Sequence, residues 1–119
     1  MLTLALFLFF QTARQHFEQA LAALQQKDYP AAEQQFEAVL KLEPNNLGAL
    51  GNLGVIYGRT NRLPKAIDTY RRALRLLPND KGLLLNLGLA YIQQEQYQDA
   101  LPVLLKLTAA APAHEQARE

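Results

Sequence analysis

Proline recurs at a fixed interval along this chain, and that interval limits the fold more than any other feature. Pro44, Pro78 and Pro112 stand 34 residues apart, and Ala32, Ala66 and Ala100 keep the same step, as do Gly54 with Gly88 and Tyr57 with Tyr91. A shared period of this length means a repeated supersecondary unit, which buries its apolar face only by stacking on its neighbours. Taking the proline as position 32 gives units 13–46, 47–80 and 81–114, with residues 115–119 opening a fourth unit.

Inside a unit the apolar spacing is helical twice. Leu50, Leu53, Gly54 and Tyr57 fall on one face of a first helix, and Ala66, Ile67, Tyr70, Ala73, Leu74 and Leu77 on one face of a second. Between them Arg59-Thr60-Asn61-Arg62 signals a turn, with Asn61 suited to a left-handed backbone and Pro64 to a first helical turn, a device that Pro30 repeats. The period proline ends the second helix, and Asn46 or Asp80 then caps the next first helix. Gly54, Gly88 and Ala20 are expected where a neighbouring backbone approaches, and Pro102 is expected to delay or kink the second helix of the third unit, because it cannot donate to the Gln98 carbonyl.

These residues resemble the tetratricopeptide repeat, whose signature is W-x2-L-G-x2-Y, then A-x3-F, then P. The second unit reads Leu50-x2-Leu53-Gly54-x2-Tyr57, Ala66-x3-Tyr70, Pro78, and the third reads Leu84-x2-Leu87-Gly88-x2-Tyr91, Ala100-x3-Leu104, Pro112. The first departs from the pattern in its first helix, with His16, Gln19, Ala20 and Ala23, but keeps Ala32, Phe36 and Pro44. The resemblance implies an all-α, right-handed α-solenoid of stacked antiparallel helix-turn-helix hairpins over residues 14–114, with a concave wall lined by the first helices. On that wall it places Phe17 and Leu21 of the first unit, Asn52, Val55 and Arg59 of the second, and Leu85, Asn86, Leu89 and Ile92 of the third.

The wall implies a function in holding another protein or peptide with apolar side chains. Relatives that grip acidic chaperone tails use lysine, asparagine and arginine at set places on this wall. Here Asn52 agrees, but Phe17, Leu21, Gly82 and Asn86 replace the others, so that clamp is disfavoured. Asn52 and Asn86 then serve either to hold a bound main chain or to satisfy neighbouring backbone groups. A second reading makes the repeats the non-catalytic arm of a longer enzyme or of a secretion or envelope-assembly protein.

Composition bounds the alternatives. The formal net charge is +1, which offers no general attraction for nucleic acid, although residues 47–80 carry six basic side chains against two acidic ones. There is no cysteine and no serine, His16 and His114 lie far apart, and no catalytic, cofactor or metal constellation emerges. Residues 2–10 read LTLALFLFF, too short for a transmembrane helix but long enough for a secretory h-region ending near Ala13. Residues 1–13 are therefore expected to be a signal peptide, giving a periplasmic or secreted protein. The alternatives are a leader helix on the first repeat, which would fit a cytoplasmic protein, a membrane-surface anchor, or a true start further upstream.

Overall fold

The computed structural model describes residues 11–109, and these are helical with short turns. In chain order the helices are α1 (Ala13–Gln25), α2 (Tyr29–Leu42), α3 (Leu47–Arg59), α4 (Leu63–Leu76), α5 (Lys81–Gln93) and α6 (Tyr97–Ala109). The expectations for the apolar run 2–10, for Pro112 and His114 and for residues 115–119 lie outside the described residues. Two compact units divide the chain, one ending at Leu53 and one beginning at Gly54, so the division falls within α3.

In the first unit α1 opens with a capping box: the Thr12 hydroxyl accepts from the Gln15 amide, and the Gln15 side chain accepts from the Thr12 amide. The chain reverses through Lys27, whose φ of 59° is left-handed, and the Asp28 amide donates back to the Ala23 carbonyl at 2.9 Å. Asp28 caps α2, and Pro30 sits in its first turn. Ala20 of α1 and Ala32, Phe36 and Val39 of α2 are buried where the two helices meet. Asn46 caps α3 through the Ala49 amide at 2.9 Å, and Ala49, Leu50 and Leu53 are buried.

The second unit repeats the device. Asn61 has a φ of 62° and Glu95 one of 60°, with the Arg62 and Gln96 amides each returning 2.8 Å bonds to Tyr57 and Tyr91. Sequence pattern singled out only Asn61; Lys27 and Glu95 occupy the same place in the period without being residues that favour it. Asp80 caps α5 through the Leu83 amide at 3.0 Å. The buried layer is Ile56, Tyr57, Ala66, Ile67, Tyr70, Ala73, Leu84, Leu87, Ala90, Tyr91 and Ala100. Glu43 and Leu77, which precede the period prolines, leave the helical region with ψ of 84° and 80°, and so α2 and α4 end where expected.

Two expectations need correction. Side chains, not a backbone, crowd the signature glycines: a Cβ on Gly54 would stand 2.8 Å from Cδ1 of Tyr70, and one on Gly88 would stand 2.6 Å from Cδ2 of Leu104. The glycine of the first helix thus makes room for the aromatic or leucine of the A-x3-F motif in the second. Pro102, moreover, does not delay its helix, since α6 begins at Tyr97 and runs through the proline to Ala109. Gln98, Leu101 and Pro102 are all exposed, so the turn that loses the Gln98 carbonyl's helical donor lies at the surface.

Candidate functional site

The α5 sequence LLLNLGLAYI is apolar nearly all round, a composition that suits a helix enclosed on every side. Only one side is enclosed. Leu84, Leu87, Ala90 and Tyr91 are buried, whereas Leu85, Leu89 and Ile92, at i, i+4 and i+7, form an exposed stripe in which Leu89 is 47% accessible. Asn86, half-buried one residue along, forms no side-chain hydrogen bond among the described residues. In the same unit Val55 is half-buried and Arg59 exposed at the end of α3, and Gly58 leaves open space where a side chain would stand. Arg59 lies close enough to act on Tyr70: burial raises the tyrosine pKa above its usual value of 10.0, and the arginine charge partly offsets the rise.

In the first unit Leu21 is exposed on α1, but Phe17 is half-buried in packing. Its ring meets Phe36 edge-on at 5.5 Å, and a Cβ on Gly48 would come within 2.8 Å of its Cζ. One edge of Phe17 borders a groove of about 490 Å3 together with Arg14, Glu18, Glu43 and Asn46. Asn52 donates through Nδ2 to the Gly48 carbonyl of its own helix at 2.8 Å, the backbone-satisfying role weighed for it above. Gly51, one residue earlier, has open space beside it.

The sequence reading missed a second apolar stripe. Tyr97, Leu101 and Leu105 follow one another at four-residue steps on α6 and are all exposed. Leu101 is 58% accessible, yet Ile67, at the same place in the preceding repeat, is 8% accessible. Comparing equivalent repeat positions would have marked these residues as apolar, but their exposure depends on which helix lies alongside.

His16 is paired within the first hairpin, its Nδ1 lying 2.7 Å from Oε1 of Gln35. Among the described residues no group of histidine and carboxylate side chains is arranged to hold a metal ion, and no helix is long and apolar enough to cross a membrane.

Comparison with solved structures finds MamA AMB-1, 25% identical with a TM-score of 0.78, over 83% of this chain and 54% of that one. MamA MSR-1 is likewise 25% identical with a TM-score of 0.77, over 83% of this chain and 57% of that one. A further MamA crystal structure is 19% identical with a TM-score of 0.80, over 91% of this chain and 62% of that one. The chain thus spans between 54% and 62% of the length of these relatives. No curated protein matches it. The fold is an all-α solenoid of helical hairpins. Two sequence patterns described as tetratricopeptide repeat match residues 17–81 and 61–119, and the chain belongs to the tetratricopeptide repeat family.

Proposed function

We propose that this chain is a protein-interaction module that holds a peptide or helical segment with apolar side chains on its first helices, through Leu85, Leu89 and Ile92 with Asn86, aided by Val55 and Arg59. Membership of a family of protein-binding scaffolds supports the general role. The single observation that carries the finer reading is the exposed leucine and isoleucine stripe on α5, because contiguous apolar surface on a folded protein marks a contact site more often than a solvated face. Asn86 suits the bound main chain better than Asn52, one of whose donors serves the Gly48 carbonyl.

The test is titration of a fluorescein-labelled peptide with leucines one helical turn apart and uncharged flanks. Leu89→Asp, at an exposed position, leaves the fold intact and weakens binding about tenfold or more by placing a charge against an apolar ligand. Equal affinity in the variant would remove this face from the function.

A second reading is favoured by one observation: the solved relatives are longer than the span this chain covers. In that reading the repeats form a non-catalytic arm of a longer enzyme or envelope-assembly protein, and the same face docks a partner for it. A periplasmic or secreted setting is proposed from the apolar run 2–10, and N-terminal sequencing of the protein from each cell fraction tests it: an exported product that has lost residues 1–13 supports the signal peptide, whereas a product that stays in the cytoplasm and retains residue 1 argues for the leader-helix alternative.

A further inference from the structure

On the opposite side of α5 from the leucine stripe lies a groove of about 520 Å3, bounded by α4 and α6. Its floor is apolar and consists of Leu84 and Leu87, with Leu74 beside them. Its rim is cationic: Arg71 and Arg75 stand one turn apart on α4, and Lys106 lies on α6, with Asp99 the carboxylate among the lining residues. All four are exposed, and among the described residues none of the three cations has an ion-pair partner.

Tyr91 also lines this groove and is 8% accessible. Its hydroxyl has no hydrogen-bond partner among the described residues, yet no buried side-chain oxygen is left unsatisfied, so the hydroxyl retains access to solvent. A phenol more than nine-tenths buried that lines a groove with its hydroxyl open to solvent is placed to donate to a bound acceptor.

The period supplies only part of this charge: one repeat earlier the places of Arg71, Arg75 and Lys106 hold Glu37, Lys41 and Arg72. Attraction to the helix dipole accounts for a cation at Arg75 and Lys106, which lie in last turns, but not for Arg71 in the middle of α4 or for the convergence of all three on one apolar floor.

We propose that this groove is a second binding site, separate from the leucine face, and that it takes an acidic peptide whose apolar side chain seats on Leu84 and Leu87 while its carboxylates meet Arg71, Arg75 and Lys106. Charge complementarity selects the occupant, since three unpartnered cations around an apolar floor favour a ligand that is anionic at its edges and apolar between. The volume is that of a pocket for a few side chains.

The test uses the full chain and a fluorescein-labelled peptide with leucines one turn apart flanked by glutamates, against the same peptide with glutamine in their place. The acidic peptide binds the chain, the glutamine form binds about tenfold more weakly, and Arg71→Gln with Arg75→Gln lowers affinity for the acidic form by about tenfold, with steep loss as salt rises. Leu89→Asp leaves this binding unchanged, which separates the groove from the face proposed above. Both arginines are exposed, and circular dichroism checks that the double variant is folded. Equal affinity for the two peptides, no effect of the arginine changes, or loss of acidic-peptide binding in Leu89→Asp overturns the proposal. Sedimentation with phosphatidylglycerol vesicles in the absence of peptide affinity also overturns it, by making the rim a lipid contact.

Discussion

At Gly54 a hydrogen occupies the place where any other residue would put a carbon against the ring of Tyr70, which is rigid and buried. Gly54→Ala therefore destabilises the chain by about 1–2 kcal/mol, the overpacking outweighing the gain in helix propensity. Gly51, three residues earlier, has nothing within 4 Å of the corresponding position, so Gly51→Ala stabilises by about 0.5–1 kcal/mol. Thermal denaturation of the two variants checks the opposite signs. Gly88 falls between them, because the atom it would meet is a terminal methyl of Leu104, which moves more easily than a ring. The left-handed turns give a second residue-scale expectation. Glu95 holds a φ of 60° with its side chain exposed, and Glu95→Gly raises stability by about 0.5–1 kcal/mol in denaturant titration. Asn61 was legible as the left-handed residue because asparagine tolerates that conformation. Lys27 and Glu95 were not, since only their place in the period, and nothing in their chemistry, assigns it to them.

Helix pairing brings Tyr70 of α4 against Gly54 of α3, and burial raises its pKa despite the nearby Arg59 charge. A tyrosine whose folded pKa lies above its unfolded value of 10.0 contributes stability that is present below that value and is lost as pH rises through the folded one. The melting temperature of the native chain should thus fall above pH 10 more steeply than that of Tyr70→Phe, measured side by side. Pro102 supplies the other element-scale expectation. It leaves the Gln98 carbonyl of α6 without its helical donor, so Pro102→Ala stabilises by about 1–3 kcal/mol in chemical denaturation, while a neutral result would mean that water at this exposed turn fully replaces the bond. The helices, their caps and their ends were legible because each depends on residues within a turn or two: Asn46 and Asp80 cap where the pattern put them, and the chain leaves the helix at Glu43 and Leu77 because a proline follows. Exposure was not legible, since Ile67 and Leu101 share a repeat position and an apolar character and differ only in what packs against them.

Across the whole molecule a net charge of +1 conceals a sorting by face within the unit that begins at Gly54. Leu85, Leu89 and Ile92 carry no charge among them, whereas the groove on the other side of α5 gathers Arg71, Arg75 and Lys106. The two faces therefore answer differently to ionic strength, since contacts between exposed charges are screened within about 8 Å at physiological salt and apolar contacts are not. For a neutral leucine peptide, affinity stays within about twofold as salt rises, falls with Leu89→Asp and is indifferent to Arg71→Ala. A natural partner can be sorted by the same matrix before its binding segment is known. Titrated at low and high salt against the two variants, a partner that weakens with salt and with Arg71→Ala but ignores Leu89→Asp is held by the cationic groove, and the leucine face is then not its site. One that ignores salt and Arg71→Ala but is lost with Leu89→Asp is held by the apolar face. A single partner sensitive to both substitutions engages α5 from two sides, and its affinity should drop in the combined variant by the sum of the two separate free-energy losses, because Arg71 on α4 and Leu89 on the far side of α5 would touch different parts of that partner.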